Sequence, residues 1–122
     1  MNDRLSLTQI ALLTAYAFGM AAGQLLFKMA ALRAPADGPL GERLHAMTLN
    51  RFFATAVLLY AALTVLWVWV LSFTPLSRAY VFVALAFAVT PLLGALMFAE
   101  PVTPRLLVGI GLIFCGLLFV AA

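Results

Sequence analysis

Uncharged apolar runs dominate the chain and predict helices that cross a membrane. No Asp, Glu, Lys or Arg interrupts residues 7–27, 52–73, 79–99 or 106–122. A helix crosses a bilayer core with about 20 apolar residues, so the first three runs are long enough and the fourth is nearly so. We therefore predict an all-α integral membrane protein, a four-helix transmembrane bundle that forms a single domain over residues 1–122. Its predicted spans are approximately residues 7–32, 51–73, 76–99 and 104–122.

The segments between the runs predict two tight turns and one longer loop. The loop covers residues 34–50, and its second half mixes apolar and charged residues, as a short helix lying in the membrane interface would. Thr74 before Pro75, and Thr103 before Pro104, predict helix starts in which threonine is the cap and proline is the first helical residue. Short connections make neighbouring helices antiparallel, so four spans would place both termini on the same side of the membrane.

Composition and charge fit a membrane protein and exclude an ordinary soluble domain. The chain is 66% hydrophobic and 9% charged, with a net charge of +3. Arg4 and Arg78 lie with the termini, and five basic residues lie on the side of the long loop: Lys28, Arg33, Arg43, Arg51 and Arg105. This bias places the loop in the cytoplasm, although basic residues that bind a phosphate would produce the same bias. We expect membrane lipids as partners, and no nucleic acid.

Two ridges of side chains spaced four residues apart run along the first predicted helix. One ridge is small and predicts a surface for close helix packing: Ala11, Ala15, Gly19 and Gly23. The other contains polar groups: Tyr16, Met20, Gln24 and Lys28. The polar ridge either faces a cavity or only allows Lys28 to reach the head groups at the membrane boundary.

The remaining polar residues indicate recognition rather than catalysis. Glu100 stands at the end of the third predicted span, five residues before Arg105, where it would form an ion pair or recognise an amine. His45 and Cys115 have no partner ligands nearby in sequence, so we expect no metal, no cofactor and no enzymatic activity.

Further features concern the shape and assembly of the bundle. Pro91 is expected to kink the third predicted span. Glycines in the last span favour helix contacts, including contacts between subunits: Gly109, Gly111 and Gly116. Since four short helices enclose little volume, we expect a homodimer or a heterodimer with a similar small subunit.

Three segments resemble the drug/metabolite transporter superfamily. They read GQLLFK at residues 23–28, TPLSRAY at residues 74–80 and FAEPVTPR at residues 98–105. The small size narrows the resemblance to two groups. One comprises the small multidrug resistance exporters, and the other comprises the paired subunits thought to flip undecaprenyl-phosphate-linked aminoarabinose.

Two departures favour the second group. Small multidrug resistance proteins carry an essential glutamate where this chain has Met20, and a tryptophan where it has Val83. No other acid lies inside a predicted span to exchange a proton for a cation. The resemblance therefore implies a flippase for a polyprenyl-phosphate-linked sugar, such as aminoarabinose, in the bacterial inner membrane. An exporter of small metabolites or cationic drugs, and a non-transporting accessory subunit, remain alternatives.

A flippase needs basic groups for a phosphate and an amphiphilic groove for the sugar and prenyl chain. The residues expected at the head group are Lys28, Arg51, Arg105, Gln24 and Glu100, with Glu100 suited to an aminosugar cation. Those expected to line the groove are Tyr16, Met20, Trp67 and Tyr80.

Overall fold

The computed structural model describes residues 5–121, with side chains described for residues 5–119, and within them the chain is helical and has no strand. The helices are α1 (Leu7–Leu32), α2 (Leu40–Thr48), α3 (Arg51–Leu71), α4 (Leu76–Phe98) and α5 (Pro104–Ala121). Arg4, which contributes to the predicted charge bias, and Ala122, the last residue of the predicted fourth span, lie outside the described residues.

The described residues form five helices, where the sequence predicts a four-helix bundle. The additional helix is α2, the short helix expected in the second half of the predicted loop. It forms because apolar Leu40, Leu44 and Met47 recur at the spacing of one helical face. The other four helices begin and end within two residues of the predicted span limits.

Three of the helices, α1, α3 and α4, are long and apolar enough to cross a membrane, by length and composition. Helix α5 is shorter, with 18 residues from Pro104 to Ala121. At 1.5 Å per residue it extends about 27 Å, whereas a bilayer core is about 30 Å thick. The structure therefore has three long candidate spans, and a crossing by α5 remains a prediction.

Helix α1 is central, because it packs against both α3 and α4, while α5 packs mainly against α4. The short α2 contacts α3. Where α1, α3 and α4 meet, the fully buried side chains of Leu13, Val70 and Ala79 form a compact apolar cluster. This arrangement leaves one face of α1 and α4 for the groove described below.

The small ridge of α1 is a packing surface over only half of its length. A Cβ atom on Gly19 would lie 2.8 Å from Leu63 Cδ2, and one on Gly23 would collide with the Tyr60 ring. Both glycines therefore allow close approach of α3, as predicted. Ala11 and Ala15 are exposed, so the predicted ridge does not continue to the start of the helix.

A tertiary hydrogen bond replaces the predicted threonine cap at the start of α4. The Gln9 side-chain amide donates to the Thr74 hydroxyl at 2.9 Å and to the Phe73 carbonyl at 3.0 Å. Helix α4 begins at Leu76, its N-cap residue is Pro75, and no side chain caps it. The prediction for Thr74 was wrong because its buried hydroxyl joins α1 to the α3–α4 turn instead.

The corresponding prediction for α5 is confirmed. The helix begins at Pro104, and the Thr103 hydroxyl accepts from the Leu106 amide at 3.1 Å. Here the threonine is exposed, and among residues 5–119 no distant side chain hydrogen-bonds to it.

Candidate functional site

A groove runs between α1 and α4 towards the end of the molecule where α1 ends. Its first part, with a volume of about 360 Å³, is lined by Met20, Gln24, Val83, Ala86, Phe87, Thr90 and Pro91. A second part of about 300 Å³ is lined by Gln24, Leu25, Lys28, Thr90, Pro91, Gly94, Phe98 and Glu100. Because both parts share Gln24, Thr90 and Pro91, they form one continuous groove.

The groove changes from apolar to charged along its length. Met20, Val83 and Phe87 line the apolar part. Lys28 and Glu100 line the other end, with Gln24 between the two parts. The predicted polar ridge of α1 therefore faces a groove from Met20 to Lys28. Such a gradient matches an amphiphile with a charged head group and a less polar neighbouring part.

The charged end of the groove is an ion pair between two helices. Lys28 Nζ lies 3.4 Å from Glu100 Oε1, and each side chain is 45% exposed. Partly exposed ion pairs contribute only about 0–1 kcal/mol, so a ligand can separate this pair at little cost. Glu100 pairs with Lys28, which corrects the predicted alternative of an ion pair with Arg105.

Local backbone and a glycine place the Glu100 carboxylate in the groove. Helix α4 ends at Phe98, and Ala99 adopts a left-handed conformation with φ 51° and ψ 36°. This conformation, uncommon for a residue other than glycine, reverses the chain direction at the helix end. A Cβ atom on the buried Gly94 would lie 3.0 Å from Glu100 Oε2, so the glycine leaves the carboxylate its space.

Tyr60 of α3 hydrogen-bonds to two residues of α1 that line the groove, Gln24 and Met20. Its hydroxyl accepts a hydrogen bond from Gln24 Nε2 at 2.7 Å and donates to the Met20 carbonyl at 3.1 Å. Its ring stacks on Phe27 with a centroid distance of 5.3 Å. Sequence reasoning missed Tyr60; the available signal was a phenol in the middle of an apolar span.

Pro91 adds a hydrogen-bond acceptor on the α4 side. Proline has no backbone N–H, so the Phe87 carbonyl lacks its usual helical donor. Phe87, Thr90 and Pro91 all line the groove. Helix α4 continues through Pro91 to Phe98, so the proline does not end the helix.

Comparison with known families agrees with this membrane architecture. Residues 4–122 match the EamA-like transporter family. The chain belongs to this family. No curated protein and no solved structure matches the chain. Family membership confirms the predicted drug/metabolite transporter superfamily, and with the three long apolar helices it identifies a multi-pass membrane transporter.

The predicted aromatic residues of this EamA-like chain lie together, but away from the charged end. Tyr16 stacks on Trp67 at a centroid distance of 4.8 Å, and Trp67 meets Tyr80 edge-on at 6.3 Å. All three lie nearer to the beginning of α1, and none is among the groove residues named above. Of the residues predicted to line the groove, Met20 is the one that does so.

The three predicted phosphate-binding residues are not brought together in the groove. Lys28 lines it, whereas Arg51 is exposed at the first residue of α3 and Arg105 is exposed in the first turn of α5. Neither arginine lines the groove as defined above, and their predicted contact with a head group stays a prediction. Gln24 and Glu100 do share the groove with Lys28.

Proposed function

We propose that this EamA-like chain is a transporter subunit that flips a polyprenyl-phosphate-linked sugar, such as aminoarabinose, across the bacterial inner membrane. The observation that carries the proposal is the exchangeable Lys28–Glu100 pair at the charged end of the α1–α4 groove. In this proposal the chain performs no covalent chemistry and uses no cofactor or metal.

An internal ion pair selects for a head group that carries both charges. An anionic ligand at Lys28 leaves Glu100 without its partner, and a cationic ligand at Glu100 does the same to Lys28. A head group with a phosphate and an amine replaces the single internal pair by two intermolecular pairs. Charge-assisted hydrogen bonds are the strong ones, so this exchange favours an aminosugar phosphate.

The middle of the groove suits the sugar. Gln24 and Thr90 offer an amide and a hydroxyl, and the Phe87 carbonyl lacks the helical donor that Pro91 would otherwise supply. Sugar hydroxyls both donate and accept hydrogen bonds, so they match this mixed set. The prenyl chain is joined to the phosphate, so it would leave the groove at the Lys28 end and remain in lipid, where it needs no protein pathway.

We place α5 across the membrane as a fourth span, with both termini on the side opposite the α2 loop. A short apolar helix is accommodated by local thinning of the bilayer. The basic residues flanking α2 then favour a cytoplasmic position for that loop, with α2 lying in the interface. The four spans form a single domain in this proposal.

We further propose that the working unit contains two subunits, either identical or similar, that associate through α5. Gly109, Gly111 and Gly116 have no atom within 4 Å of the position that a Cβ atom would occupy. Helix α5 packs mainly on α4, and Gly111 and Gly116 are exposed on different sides of α5, where its backbone is open to a second subunit.

Replacing Gly111 or Gly116 with leucine should weaken this association, because the larger side chain keeps the helix backbones apart. Native mass spectrometry from lipid nanodiscs would report the shift from dimer to monomer. Gly41→Leu is the matched control, since Gly41 also meets nothing within 4 Å but lies on α2. A monomer that flips lipid at the full rate would contradict the dimer proposal.

Flipping by the purified protein in liposomes tests the proposed function. We expect transfer of a lipid-linked aminosugar between leaflets well above the rate in protein-free liposomes. No transfer, with or without a second subunit, would favour the accessory alternative. Uptake of a quaternary ammonium dye that follows an imposed pH gradient would favour the exporter alternative, which Met20 argues against because methionine cannot carry a proton.

A further inference from the structure

Two arginines from different helices share one aromatic ring outside the groove. The Arg33 guanidinium carbon lies 4.6 Å from the centroid of the Phe52 ring, and that of Arg51 lies 5.7 Å from it. Both distances are within the range of a cation–π interaction, so the ring attracts both charges. Arg33 is the C-cap residue of α1, and Arg51 is the first residue of α3.

Asn50 fixes the two helix ends that carry these arginines. Its side-chain amide donates to the Ala30 carbonyl in the last turn of α1 at 3.2 Å. Its side-chain oxygen accepts from the Phe52 amide in the first turn of α3 at 2.8 Å. One side chain therefore joins the end of α1 to the start of α3, and the separation of the two arginine backbones is set by the fold.

The structure pairs neither charge with a carboxylate in the part of the chain whose side chains it describes. Among residues 5–119 the ion pair found is Lys28–Glu100, so neither Arg33 nor Arg51 has a carboxylate within 4.0 Å there. The N-terminus of α3 adds partial positive charge beside Arg51, whereas the C-terminus of α1 adds partial negative charge beside Arg33. Neighbouring like charges repel, and a bound anion would relieve that repulsion.

We propose that Arg33 and Arg51, held around Phe52, form a phosphate-binding site at the membrane boundary, separate from the α1–α4 groove. The planar guanidinium fork matches phosphate oxygens and can donate two hydrogen bonds to one group. The ligand is the phosphate of a lipid head group or free phosphate, which share this chemistry. The proposal does not depend on sugar flipping, because it concerns the binding of a phosphate and not its transport.

Retention of phosphatidic acid tests the site. The full-length protein would be placed in phosphatidylcholine nanodiscs with a small fraction of phosphatidic acid, and bound lipid counted by native mass spectrometry. Arg33→Gln and Arg51→Gln should each weaken binding about tenfold, the loss expected for one charged hydrogen bond. The loss of affinity in the double variant should be smaller than the product of the two single-variant losses, because both arginines bind the same phosphate.

The matched control is Arg43→Gln, which removes the same charge from α2, where Arg43 donates to the Pro35 carbonyl. It should bind phosphatidic acid nearly as the wild type does. Equal losses in all three single variants would overturn the proposal, since they would indicate only general attraction to a basic surface.

Two further arms separate geometry from charge and identify the phosphate source. Arg33→Lys keeps the charge but loses the fork, so it should still bind more weakly; wild-type binding by this variant would overturn the guanidinium site. If inorganic phosphate displaces the lipid only from protein that has both arginines, the site is supported and free phosphate is its ligand. If the bound lipid resists inorganic phosphate, the site is supported and a lipid head group is its ligand.

Discussion

Replacing Lys28 with methionine should slow the flipping of a lipid-linked aminosugar about tenfold or more. The phosphate loses a charge-assisted hydrogen bond, typically about 1.5–3 kcal/mol, and each 1.4 kcal/mol corresponds to a factor of ten. The substitution also leaves Glu100 facing the groove without a partner, which further disfavours an anionic head group. The rate of transfer between leaflets of liposomes, at equal protein content, measures the effect.

Glu100→Gln should produce a loss of similar size by removing the partner of the substrate amine. Exchange of both charges, Lys28→Glu with Glu100→Lys, should restore part of the rate, since both charges remain in the groove. Glu42→Gln, on α2 away from the groove, is the matched control and should flip normally. If both single variants flipped at the wild-type rate, the head group would have to bind elsewhere.

Gly23→Leu should destabilise the packing of α1 against α3. Its side chain would occupy the volume of the Tyr60 ring, so α1 and α3 would have to separate or Tyr60 would have to leave Gln24. Forcing extra carbon atoms into a packed contact typically costs about 1–3 kcal/mol. Unfolding by dodecyl sulfate in mixed micelles, followed by helix signal, would measure the change in the free energy of unfolding.

Ala15→Leu provides the control for this substitution. Ala15 lies on the same ridge two turns earlier but is exposed, so leucine there should leave stability nearly unchanged. Equal destabilisation by both variants would mean that the whole ridge packs against a neighbour, and the contrast between its two halves would be wrong.

The helices could be predicted from the sequence because the membrane dictates their composition. The spans predicted from the apolar runs and the turns between them lie within two residues of α1, α3, α4 and α5 at both ends. A helix cap could be predicted only where the threonine hydroxyl has no partner far away in the sequence. Thr103 caps α5, whereas the identical pattern at Thr74 fails because Gln9, 65 positions away, takes the hydroxyl.

The groove could be predicted only on the α1 side. Spacing along one helix placed Met20, Gln24 and Lys28 on one face, which the structure directs into the groove. Pairing of Lys28 with Glu100 depends on how α4 packs against α1 and on the left-handed turn at Ala99, neither of which a single sequence specifies. Arg33 and Arg51 meet at Phe52 for the same reason, through the contact of two helix ends.

The most direct test of the proposed function compares two substrates in one liposome assay. Polyprenyl-phosphate aminosugar with a free amine and the same lipid with its amine acetylated differ in one charge. Because the free amine pairs with Glu100 and the phosphate with Lys28 in the proposed complex, we predict that the free-amine lipid is flipped about tenfold faster. Equal rates for the two lipids, or faster flipping of the acetylated one, would contradict head-group recognition by the Lys28–Glu100 pair.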